Sequence, residues 1–155
     1  MMRYFYAVVL ITCLTGPVCS PGSTLPMEEL TINGRTVKVE IAKTPEHRTQ
    51  GLSDRPSLAA DQGMLFVFPS PSRMSFWMIR CHFDIDVAYI DKEGEVREII
   101  TMLAQPLDTP ESQLIRYPSA SDQIQYALEM NGGWFKNNGI TAGTRLDLKR
   151  FVAFN

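Results

Sequence analysis

Arg80, His82, Asp84 and Asp86 stand at alternate positions along one short run of this chain. The residues between and around them, Ile79, Cys81, Phe83, Ile85, Val87 and Tyr89, are apolar. A strand turns alternate side chains to opposite faces, so the spacing predicts one strand with four ionisable groups on one face and a buried second face. One imidazole and two carboxylates in a row could hold a divalent metal through His82, Asp84 and Asp86. Successive same-face Cα atoms lie about 6.5–7 Å apart, however, and aspartate is short, so three such groups converge poorly. A solvated face on which Arg80 pairs an aspartate is the simpler expectation. Cys81, on the apolar face, is expected to be an inert core residue.

Other chemistry needs partners from elsewhere in the chain. Asp86 and Glu129 could work as an acid–base pair if burial separated their pKa values, with His82 assisting; that would make a hydrolase. Ser119 and Ser121 have no nearby histidine, Gly-x-Ser-x-Gly is absent, and the chain has two histidines in all. Asp91-Lys92-Glu93-Gly94 lacks the later ligands of a calcium loop and reads as a hairpin turn. Trp134, after two glycines, is the better surface aromatic, while Trp77 sits in the most apolar block and suits a core. Arg55 needs an anionic partner, and Asp86 or Glu129 could supply it on the floor of a shallow pocket near Trp134. Nothing in the sequence implies a cofactor.

The elements that must position these groups are mostly short strands. Leu30 to Ile41 reads as a hairpin around Asn33-Gly34, a pair suited to a type I′ turn, and Lys38 and Glu40 fall on a wet face. Thr44 caps a short helix with Pro45 at its first position and Gly51 as its stop. Leu52 to Gln62 is irregular, and Met64 to Phe68 is a buried strand ended by Pro69 and Pro71. The return strand after Gly94 carries Val96, Glu98 and Ile100 on one face. Leu103 to Ser121, with three prolines, reads as a long loop of the functional or mobile kind. Ile124 to Met130 is a strand, a brief helix runs from Trp134 to Gly139, and Thr144 to Lys149 is the last strand. The fold class expected is mainly β, a compact single-domain sandwich or barrel with one or two short helices.

Composition narrows the setting. The 155 residues suit one domain, and a net charge of −2 argues against nucleic acid, which needs a basic face. Residues 1–20 read as a signal peptide: Arg3 supplies the positive start, Tyr4 to Leu14 the apolar stretch, and Val18-Cys19-Ser20 a small-residue cleavage site. The apolar run is about half the roughly 20 residues that span a bilayer. Residues 21–29 are expected to be a flexible tether and 30–155 the folded domain. Cys19, followed by Ser20-Pro21-Gly22-Ser23, offers a second route, lipid attachment at the new N-terminus.

Larger blocks carry a resemblance. Gly51-Leu52-Ser53-Asp54-Arg55, Gly63-Met64-Leu65-Phe66-Val67-Phe68 and Phe76-Trp77-Met78 come in order, with Asp86 eight residues after Met78. Asp91-Lys92-Glu93-Gly94, Tyr117-Pro118-Ser119, Leu128-Glu129, Gly132-Gly133-Trp134, Gly139-Ile140 and Gly143 follow. From about Val37 to Leu148 the chain resembles the prokaryotic family called domain of unknown function 192. The resemblance implies a compact, mainly β, sandwich-like fold and no particular activity. Arg55, Trp77, Asp86 and Glu129 match the family pattern. Ser53 stands where methionine is usual, Ile79 and Arg80 where a basic residue and asparagine are common, and Asp84 where proline is usual.

Together these readings point to an exported, non-enzymatic β domain of the cell envelope, periplasmic or lipid-anchored, that binds a small or extended ligand. Arg55, Arg80, Asp84, Asp86, Glu129 and Trp134 are its expected binding residues. A hydrolase using Asp86, Glu129 and His82 is the alternative enzyme reading. An assembly partner of another envelope protein is a third. The membrane enters only through the signal or the lipid.

Overall fold

Asn33 and Gly34 have φ of 48° and 80° in the computed structural model, which describes residues 25–151. Both lie in the left-handed region that a type I′ turn demands. The turn joins β1 (Met27–Ile32) to β2 (Arg35–Ala42) as an antiparallel pair. The strand thus begins inside the segment expected to be a tether. The proposed signal peptide, Cys19 and the lipid route lie outside the described residues.

Thr44 then caps α1 (Pro45–Gln50), its hydroxyl accepting from the His47 amide at 3.2 Å, and Gly51 ends it. This short crossover lets β3 (Gln62–Ser72) return parallel to β2, a pairing the strand patterns did not foretell. β3 also runs on through Pro69 and Pro71, contrary to expectation. The ladder to its other neighbour is broken between Val67 and Ser72, so the missing proline donors fall where no regular bonds are made.

β4 (Ser75–Phe76) and β7 (Tyr117–Pro118) form a two-stranded ribbon. β5 (Ile85–Asp91), β6 (Val96–Met102) and β8 (Ile124–Asn131) complete the main sheet, in the order β1-β2-β3-β8-β5-β6. The protein is mainly β, as expected, with two short helices, α1 and α2 (Trp134–Asn137). The loop from Leu103 holds a 3-10 turn at Glu111–Gln113 and leads into β7.

Two expected strands are corrected. Residues 79–84 are turns and bends, with Arg80 at φ 48°, so the alternating pattern there is not a strand and β5 starts only at Ile85. Residues 144–149 make a single bridge, Glu95 to Arg145. They cross the β5–β6 turn, where Val96 donates to the Thr144 carbonyl and Leu146 to the Gly94 carbonyl, each at 2.8 Å, and they run along no strand edge.

Both faces of the sheet are covered. One carries Val37, Val39, Leu65, Ala88, Leu128 and Met130, closed over by Trp134, Phe135, Ile140, Leu146, Leu148 and Phe151. The other carries Met64, Phe66, Val87, Tyr89 and Ala127, closed over by Leu52, Met74, Met78 and Cys81. Every residue of β5 is buried as a result. Alternation in a central strand therefore assigns a side chain to one of two cores and not to core or water.

Candidate functional site

The decisive residues lie side by side across the second face. Glu40 on β2 is in register with Met64 on β3, Met64 with Glu129 on β8, and Glu129 with Val87 on β5. Two carboxyl groups thus flank one methionine, and both are buried. Close approach of the strands depends on Gly63, where a Cβ would strike the Glu129 carbonyl and the Met130 sulfur.

Glu40 was expected on a wet face; the loop after α1 covers it instead. From that loop Arg55 reaches in and makes a two-pronged pair with Glu40, the second prong at 2.9 Å. Such fork geometry is the strongest form of carboxylate recognition. Arg55 was expected to pair with Asp86 or Glu129; its partner is Glu40, and Glu129 lies only within its field.

Glu129 is 4% exposed, and among the described residues its carboxyl makes no hydrogen bond. Burial raises its pKa from 4.5 to about 8, with Arg55 pulling the other way. At neutral pH this group is mostly a carboxylic acid. It faces a cleft of about 230 Å³ between the Arg48–Ser53 segment, the aromatic end of β3 and the segment from Arg73 to Trp77. Phe66 meets Phe76 edge-on at 4.9 Å, and Phe76 meets Tyr89 at 5.8 Å, fixing the apolar wall. Arg48 donates to the Val67 carbonyl at 3.1 Å and lies 5.0 Å from the Phe68 ring. Arg73 donates to the Ser119 carbonyl at 3.3 Å. Neither arginine forms a salt bridge among the described residues.

The remaining expected residues are scattered. Asp86 is buried on the opposite face from Glu129, where the Thr101 hydroxyl donates to it at 2.7 Å. Strand parity therefore separates the two carboxyls expected to act together. His82 is exposed, and Asp84 accepts from the Ala104 amide at 2.8 Å. With no strand over 79–84, the row of His82, Asp84 and Asp86 does not exist. No group of three metal-binding side chains occurs among the described residues. Arg80 pairs Asp54 in the open, at 2.7 and 3.0 Å.

The two tryptophans exchange roles. Trp134 is 6% exposed, its indole donating to Asp61 at 3.2 Å and its ring edge-on to Phe135, so it serves the first core. Trp77 is half-buried, lines the cleft and carries the Arg116 guanidinium 4.1 Å above its ring. Cys81 is buried as expected; burial, with the field of Glu129, pushes its thiol up to about 12.

Nothing local in the sequence marks Arg48 and Arg73 as cleft residues or Glu40 as the partner of Arg55. Their placement depends on the β2–β3 parallel pairing, which brings the α1 end over β8.

Comparison with known proteins sharpens the family resemblance. The profile of family DUF192, described as uncharacterized ACR, matches residues 28–148. The chain belongs to the DUF192 family. A crystal structure of a candidate transcription regulator from Sinorhizobium meliloti 1021 is similar at TM-score 0.68 and 32% identity, over 81% of this chain and 95% of that one. A protein of unknown function from Novosphingobium aromaticivorans DSM 12444 is similar at TM-score 0.72 and 26% identity, over 86% and 94%. No curated protein matches the chain.

The buried acid sets a pH dependence of stability. The folded pKa of Glu129 lies above its ordinary value, so the folded state holds more protons between pH 4.5 and about 8. Stability is then greatest below that window and declines through it, by up to about 1.4 kcal/mol per pH unit from this group. Glu129→Gln removes that slope. Urea unfolding of both proteins at pH 5, 6.5 and 8 should give curves that diverge as pH rises, with the variant the more stable at pH 8; parallel curves would contradict the assignment.

Proposed function

We propose that this DUF192 protein is an exported, non-enzymatic domain that binds a small organic ligand in the cleft above Glu129. One observation carries the reading: a buried carboxyl, without a hydrogen bond among the described residues, opens onto an aromatic-walled cleft. A ligand that gives this group a hydrogen-bond partner in the apolar cleft gains about 0.5–1.5 kcal/mol from that bond. Few polar groups converging in an apolar pocket is also the usual anatomy of a small-molecule site.

The chemistry of the alternative weighs against it. A two-carboxyl hydrolase needs Asp86 and Glu129 on one side of the sheet, and they project to opposite sides. The relative described as a candidate transcription regulator would suggest nucleic acid, but a net charge of −2 gives phosphate little to bind.

A fragment screen by amide NMR tests the binding reading. Hits should shift Gly51, Ser53, Ser75 and the Trp77 indole together; a screen whose only responses lie away from the cleft would remove the reading. Export rests on the Arg3, Tyr4–Leu14 and Val18-Cys19-Ser20 sequence. Mass spectrometry of the native protein should find a chain beginning near Pro21 or at a lipidated Cys19. An intact Met1 would contradict export.

A further inference from the structure

The charges around the cleft say what kind of ligand it takes. Arg48 and Arg73 both line it, each is held by a backbone carbonyl, and neither is neutralised by a salt bridge among the described residues. Of the two buried carboxyl groups on this face, Glu129 lines the cleft and Glu40 is matched by Arg55. The cleft is therefore net positive whenever Glu129 holds its proton. A protonated carboxyl is a donor, and its partner must be an acceptor. The walls are the rings of Phe66, Phe76 and Trp77. At about 230 Å³ the space falls below the roughly 300–1,000 Å³ of drug-sized sites.

We propose that the cleft takes a small aromatic or apolar organic acid. Its apolar body lies on Phe66, Phe76 and Trp77, its anionic head faces Arg48 and Arg73, and one head oxygen accepts a hydrogen bond from the carboxylic acid of Glu129. The proposal rests on the cleft being the binding site. It differs from a cation site, which the same aromatic rings could also serve, in the sign of its pH dependence. An anion binds the protonated form of Glu129 and loses affinity as that proton leaves. A cation binds the ionised form and gains.

The other groups facing Glu129 leave that sign readable. On β2 is Glu40, on the loop after α1 Arg55, and at the cleft Arg48, itself in the field of Glu46, and Arg73. Cys81 and, on β5, Tyr89 lie within the field of Glu129, and burial holds both in their neutral forms well above pH 9.

Phenylacetate, benzyl alcohol and benzyltrimethylammonium share one ring and differ in head charge. Titration of each into the wild-type domain, followed by amide NMR at pH 6.5 and 9, decides the class. Phenylacetate should shift Gly51, Ser53 and Ser75 and bind about tenfold more weakly at pH 9, as expected for a required proton lost near pH 8. In Glu129→Gln, whose amide keeps a donor, that pH dependence should vanish. The double variant Arg48→Gln, Arg73→Gln should lose phenylacetate binding by about tenfold or more at pH 6.5 while keeping a native amide spectrum. Stronger binding of benzyltrimethylammonium, or phenylacetate affinity that rises with pH, overturns the acid class and leaves the cleft a binding site. Cleft shifts from benzyl alcohol alone do the same. No cleft shift from any of the three overturns the acid class, and a blank fragment screen beside it overturns the binding reading too.

Discussion

Two carboxyl groups are buried on one covered face of the sheet, and among the described residues one of them, Glu40, is paired with a guanidinium, that of Arg55. That asymmetry organises the protein. Arg55 spends both its forks on Glu40, because a bidentate pair is the arrangement that offsets the desolvation of a buried ion. Glu129, one strand pair away across Met64, is left with the field of Arg55 and, among the described residues, no hydrogen bond. The cheapest state for an unpaired buried carboxyl is the neutral one. The loop after α1 is held over the sheet by the Arg55–Glu40 pair, and the same loop forms one side of the cleft. Closure of the loop, protonation of Glu129 and the shape of the cleft therefore share one cause.

Local chemistry was legible in the sequence wherever it was settled within a few residues. The Asn33-Gly34 turn, the Thr44 cap with Pro45 and Gly51, and the Asp91–Gly94 turn all formed as their residue types dictate. Glu129, which the sequence offers as a candidate through its place beside Gly132-Gly133 and its match to the family pattern, lines the cleft. Alternation misleads where neither face of a strand is wet. In β5 and β8 both faces are dry, and parity puts Asp86 and Glu129 back to back. From Ile79 to Asp84 the alternation was real in composition but the backbone turns, and no residue type there forbade a strand.

The parallel β2–β3 pairing was the larger omission. Nothing in a six-residue helix distinguishes a crossover from a surface turn. Without that pairing Glu40 looked exposed, Arg48 had no cleft to line, and Trp77 looked like core. The swap of Trp77 and Trp134 follows from the same source. The α1 end leaves Trp77 half-uncovered, while the C-terminal segment seals Trp134 beneath Asp61. Of the blocks Phe76-Trp77-Met78 and Gly63-Met64-Leu65-Phe66, Phe76, Trp77 and Phe66 line one cleft with Glu129.

The charge of the cleft turns on the protonation of one side chain, Glu129. A pH titration of the Glu129 carboxyl carbon by 13C NMR, assigned by its loss in Glu129→Gln, measures it directly. A midpoint raised far above 4.5, toward about 8, is the expected result. A midpoint near the ordinary 4.5 would mean that Glu129 is ionised at neutral pH, and the account of the cleft would fall with it.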